Sequence, residues 1–146
     1  LWMGHAALTT ARRHFVTERL ARGGVGQAGV KAAPFRAFID EWEMALVAGA
    51  DAARLGGLRV SAGGADFRWR LDLTTDGPLI LQGDQGYSVK SEEGQASHYY
   101  SQPFFRASGE LEMQGRTVRV AGDAWLDREW SSQPLAGDQS GWDWFS

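Results

Sequence analysis

No cysteine occurs among the 146 residues, which excludes disulfide scaffolds, thiolate zinc sites and cysteine nucleophiles. A cysteine-free chain is compatible with either redox compartment, so location stays open on this ground. Asparagine is also missing, which removes any N-glycosylation acceptor. Only two lysines accompany thirteen arginines, and the net charge is −3 with a pI near 5.6. A nucleic-acid binder normally carries a basic face, so no nucleic-acid partner is expected. Arg12, Arg13, Arg19 and Arg22 form the one basic run and read as solvated surface. No apolar stretch approaches the roughly 20 residues of a membrane span, so no transmembrane segment is expected within these residues. No Gly-x-Ser-x-Gly elbow is present. His5, His14 and His98 lack the spacing of a metal-binding helix, and neither a metal nor a cofactor is expected.

What is there points to β structure. Hydrophobic residues make up 43% and charged residues 23%, as in an ordinary globular domain. Proline is low at 4 and glycine high at 19, which favours a turn-rich β protein over a helix bundle. Four of the seven tryptophans, Trp125, Trp130, Trp142 and Trp144, fall near the C-terminal end. Such clusters fill a core or line an apolar pocket.

Leu1 to Thr10 reads as a strand closing in a turn at Thr9 to Arg13. His14 to Ala33 is Arg- and Gly-rich and is predicted as a long irregular connection, with room for a short helix. Within it, Gly24, Gly26 and Gly29 match the dinucleotide-binding glycine pattern. With Pro34 close behind and no long helix following, they read as a flexible loop. Phe35 to Val47 fits a strand or a helical stripe, the period slightly favouring the helix. Phe67, Trp69, Leu71 and Leu73 alternate with Arg68, Arg70, Asp72 and Thr74, the clearest two-residue period in the chain. Flanking it are a strand at Leu58 to Ala62, a turn at Thr75 to Pro78 and a strand at Leu79 to Gln82. Asp84 to Gln95 is polar and Gly-rich and reads as a loop. Strands are expected at Ser97 to Gln102, Phe105 to Met113 and Thr117 to Trp130, the last two joined by a hairpin turn at Gln114 to Arg116. Ser131 to Ser140 reads as a loop entering a final strand. This spacing predicts an antiparallel sandwich or barrel.

The chemically informative stretch is Gly122 to Trp130. On a strand, Trp125, Asp127 and Glu129 share one face and Leu126, Arg128 and Trp130 the other, residues two apart lying roughly 6.5–7 Å apart. Two carboxylates facing an apolar cavity would repel and be desolvated, keeping one protonated and able to donate. On residue types alone the favoured reading is instead a structural network of Asp127 and Glu129 with arginines such as Arg119 or Arg106. His98 and Tyr100 share a face that suits either ligand orientation or plain strand packing.

Four segments together resemble one family: Gly4-His5-Ala6-Ala7-Leu8-Thr9, Ser97-His98-Tyr99-Tyr100-Ser101-Gln102-Pro103, Gly122 through Ser132, and Gly141-Trp142-Asp143-Trp144-Phe145. In order and spacing they are similar to the AttH-like, carotenoid 1,2-hydratase group of lipocalin-like proteins, sometimes labelled secreted hydrolases. The resemblance implies an all-β, antiparallel lipocalin-like (calycin) β-barrel, incomplete at both ends. Residues 1–146 would form most of the first of two barrel halves. Phe35 to Val47 is read as a strand on this basis alone. Members are usually exported, so a periplasmic or secreted location is implied, and some accompany ABC-transporter components. The implied partner is an apolar small molecule. In the hydratases an aspartate after an aromatic-x pair is proposed to protonate an alkene, and Asp127 after Trp125-Leu126 matches it. His98 with Tyr100 matches the accompanying histidine and aromatic, so the implied catalytic set is Asp127, Glu129 and His98. Trp125, Tyr100, Tyr99 and Trp142 would contact ligand, Trp125 and Tyr100 shielding a carbocation. The hydratases favour His-Asp-x-Asn, whereas this chain has Leu126-Asp127-Arg128-Glu129. Binding of a lipid- or isoprenoid-like ligand is therefore the first expectation. A hydro-lyase using Asp127 is the alternative, and a hydrolase, for which no motif speaks, ranks third.

Overall fold

The structure, a computed structural model, describes residues 1–141. Among these residues there are strands and turns but no α-helix, hence no helix able to cross a membrane. Seven strands form one antiparallel path in the order β11 (Arg116–Trp130), β10 (Ala96–Met113), β7 (Phe67–Thr74), β6 (Gly57–Gly63), β5 (Trp42–Leu46), β4 (Arg36–Ile39), β3 (Ala28–Lys31). The short β8 (Ile80–Leu81) and β9 (Tyr87–Val89) pair with the first half of β10. A separate hairpin of β1 (Trp2–Thr9) and β2 (His14–Ala21) makes a second sheet. The strands at the two ends of the path, β3 and β11, do not pair with each other, so the all-β, lipocalin-like sheet is not closed.

The alternating segment becomes β7, in the middle of the path, with Phe67 and Leu73 buried. The stretch from Phe35 to Val47 resolves into two strands rather than a helix. Asp40 takes a left-handed conformation (φ 50°) between them, so the chain reverses without glycine or proline to announce it. The expected irregular connection from His14 to Ala33 is corrected. It holds β2 and β3, with no helix, and the glycines near Gly24 make only the turn between them. Its alternation is weak because β2 covers one small patch of core while its other face is in water. The expected loop at Asp84 to Gln95 likewise contains β9, three residues long.

β10 and β11 form the longest hairpin. Their two-residue turn, Gln114-Gly115, has φ of 51° and 74°, the sign pattern of a type I′ turn. Between Gln102 and Phe105 the register shifts, Pro103 and Phe104 standing opposite Trp125. The extra residue decides what faces inward. Tyr100 and Gln102 lie on the same side as Phe105 and Ala107, although strict alternation would separate them.

Two clusters fill that side. In the first, Ala6 and Ala21 of the β1–β2 hairpin cover Ile39, Trp42, Ala62 and Phe67. Trp42, 5% exposed, donates its indole N–H to the Gly63 carbonyl at 2.8 Å. In the second, Phe35, Leu55, Leu58, Val60, Leu73 and Phe105 pack together, with Tyr100 and Leu126 against them. Gln102 is wholly buried beside them and donates to the carbonyls of Arg54 and Gly77 at 3.2 and 3.1 Å. That meets the need of a buried amide for partners.

Candidate functional site

The residues singled out from sequence gather at one end of the β10–β11 hairpin, on both faces. The register sets Tyr99 opposite Glu129 and Ser101 opposite Asp127 on one face. On the other it sets His98 opposite Trp130 and Tyr100 opposite Arg128. Tyr100 and Leu126 pack against the core, so their face is the inner one and Trp125, Asp127 and Glu129 look outward. A single hollow walled by Trp125, Asp127, His98 and Tyr100 together is therefore not formed. Strand alternation keeps neighbours in sequence apart by the thickness of the sheet. Trp142 lies outside the described residues.

On the outer face Asp127 is half-buried and accepts hydrogen bonds at both oxygens, from the Ser101 hydroxyl and from Trp125 Nε1 at 2.8 Å. Ser101, only 1% exposed, also accepts from Gln82 Nε2 at 2.9 Å. Glu129 pairs with Lys90 at 2.7 Å and accepts from the buried Ser97 hydroxyl at 2.6 Å. Partial burial pushes the Glu129 carboxyl up. The Lys90 ammonium and the Ser97 hydroxyl outweigh it and hold the group below the usual glutamate range. Glu129 is thus a carboxylate near neutral pH, not a stored proton. The expected arginine partners are replaced by Lys90 and the two serines, because Arg106 pairs with Asp123. The sequence could not foretell Lys90, whose loop is carried to Glu129 by the β9–β10 pairing. Beside this group the segment from Ser131 onward straps across the start of β10, Ser131 Oγ donating to the Ala96 carbonyl at 2.7 Å. A cavity of about 380 Å³ lies between Lys90, Ser97, Glu129, Trp130 and Leu135.

On the inner face His98 stacks on Trp130 (centroids 5.5 Å apart), with Tyr87 at the imidazole's edge and Tyr100 at the edge of Trp130. Arg128 donates to the Tyr100 hydroxyl at 3.0 Å and lies over the Phe35 ring at 5.0 Å. The other histidines stand far off in other company, His5 facing Glu18 and His14 facing Thr9 across β1–β2.

A third feature escaped the sequence. Between the β1–β2 hairpin and the main sheet lies an apolar cavity of about 310 Å³, walled by Trp2, Ile39, Trp42, Met44, Val60 and Trp69. Its residues come from six strands, and no short motif marks them. The even-numbered apolar positions of β5 and β6 were the available signal.

A family model described as AttH-like matches residues 1–146. The chain is also similar to a crystal structure of a candidate AttH from Nitrosomonas europaea, with 32% sequence identity and a TM-score of 0.79. The similarity covers 93% of this chain and 42% of that one, so the chain spans less than half the length of that relative. No curated protein matches.

Proposed function

The chain belongs to the AttH-like family, and from that premise we propose that it binds an apolar, lipid- or isoprenoid-like ligand against the inner face of its open sheet. The cavity between the hairpin and the sheet carries this function. At about 310 Å³ it is at the lower end of small-molecule sites, and its wall is mainly aromatic and aliphatic, with Glu43 and Ser61 its polar members. Burying an apolar ligand there gains roughly 25 cal/mol per Å² removed from water. Exposed apolar side chains at its rim, Met3 and Val30 at 65% and 47%, favour an opening through which ligand enters.

The uncharged fluorophore N-phenyl-1-naphthylamine should bind saturably, one per chain, and be displaced by an acyclic isoprenoid. Val30→Glu, at an exposed rim position that tolerates charge, should weaken binding about tenfold or more by placing a carboxylate in the entrance. Equal binding by the two forms would remove the cavity from consideration.

A carotenoid 1,2-hydratase-like addition of water to an alkene, with Asp127 as acid, is the competing function. It is the weaker one, since Asp127 already accepts at both oxygens and lies on the face opposite His98 and Tyr100. Water addition to an acyclic isoprenoid that is lost in Asp127→Asn with binding retained would reverse this order. Location outside the cytoplasm and association with ABC-exporter components belong to the same proposal and rest on the family resemblance. A fusion of the natural full-length protein to alkaline phosphatase, active only after export, tests the first. Co-purification with a transporter tests the second.

A further inference from the structure

Resting on the apolar-ligand function above, we propose that the ligand carries a carboxylate at one end and that Arg128 and Tyr100 receive it. Arg128 differs from the other half-buried arginines, Arg19 and Arg36, which are both paired, while the strand arginines that also lack an ion pair, Arg68, Arg70, Arg116 and Arg119, are exposed. Arg19, Arg36, Arg59 and Arg106 each meet a carboxylate, of Glu41, Glu43, Asp72 and Asp123 respectively. Arg128 is half-buried on the inner face, and among the described residues no ion pair reaches it. Its surroundings are aromatic, with Phe35 at 5.0 Å and Tyr100 at 5.7 Å from the guanidinium carbon. Aromatic faces hold a guanidinium in place without neutralising it. A cation partly withdrawn from water and fixed in this way is completed by an anion.

The hydrogen bonding sets which anion. Arg128 uses one N–H on the Tyr100 oxygen, leaving further guanidinium donors and the phenol hydrogen. A guanidinium N–H beside a phenol O–H matches the two oxygens of one carboxylate. One guanidinium balances one carboxylate charge, whereas a phosphate monoester carries nearly two. The surroundings on this face set an apolar tail. Phe35 and Tyr100 pack in the same cluster as Met44, Val60 and Trp69, and these three also wall the apolar cavity. The expected ligand is a long-chain carboxylic acid, saturated or polyene.

The test uses the intact protein with cis-parinaric acid, its methyl ester and a long-chain alkyl phosphate, followed by fluorescence. The acid should bind about 10- to 100-fold more tightly than the ester, the range for a charge-assisted hydrogen bond. In Arg128→Met, which keeps the apolar stem, acid and ester should come within about twofold of each other, the acid losing far more affinity than the ester. Tyr100→Phe, which deletes one oxygen, should reduce the acid's advantage only in part. Equal binding of acid and ester by the unmodified protein would overturn the carboxylate and leave the apolar-ligand function standing. Absence of binding by all three would overturn both. Tighter binding of the alkyl phosphate would overturn the choice of anion. A preference for acid that survives in both variants would overturn the assignment to Arg128 and Tyr100.

Discussion

Two tryptophans with hydrogen-bonded indoles illustrate how position decides a residue's part. Trp42 is buried and its N–H is spent on the Gly63 carbonyl, so Trp42→Phe removes the donor and leaves that carbonyl short of a partner. A loss of about 1–3 kcal/mol in unfolding free energy is expected, measured by urea denaturation. Trp125 is 48% exposed and its N–H serves Asp127, so Trp125→Phe should change stability by less than about 1 kcal/mol in the same assay. Both residues look alike in the sequence. That Trp125, Asp127 and Glu129 share a face was legible, because a strand has a period of two. Which face was the inner one was not, because it depends on what packs across the sheet.

At the scale of elements, turn chemistry and register carry the fold. Gly115 holds a positive φ with open space around it, while Gly122, in β11, also has open space but no left-handed conformation. Gly115→Ala should therefore destabilise by about 1 kcal/mol through backbone strain alone. Gly122→Ala should be neutral or slightly stabilising. Paired thermal melts separate the two, and equal losses would refute the turn assignment. β7 was legible from strict alternation, and the β10–β11 turn from Gln114-Gly115. The β4–β5 reversal was not, since Asp40-Glu41 carries neither glycine nor proline and the flanking apolar spacing also suits a helix. β2 and β9 escaped because strands with little or no buried surface leave weak periodicity.

Across the whole molecule the carboxylates set the pH response. Glu41 is held low by Arg19, Asp72 by Arg59, and Glu129 by Lys90 and Ser97 against the opposing pull of partial burial. A carboxylate held low in the folded state adds stability above its unfolded pKa. That stability is lost as pH falls through the folded value. The melting temperature should thus be level from neutral pH to about 5 and fall below that. Glu129→Gln should make the acid fall shallower. All three groups are partly exposed, so added salt should shrink the effect. A melting temperature that rises on acidification would contradict the pairings. A bound apolar acid should raise the melting temperature with concentration, as any ligand of the folded state does.

The sequence by itself determined the all-β class, the family and the pairing of faces along each strand, because alternation, turn residues and short motifs are local. Only the tertiary structure decided that Asp127 and Tyr100 look opposite ways, that Lys90 answers Glu129, and that six strands wall one apolar cavity. Those facts depend on the bulge at Pro103-Phe104 and on which strands lie side by side. Contacts between segments distant in the chain are fixed by packing, which no single segment encodes.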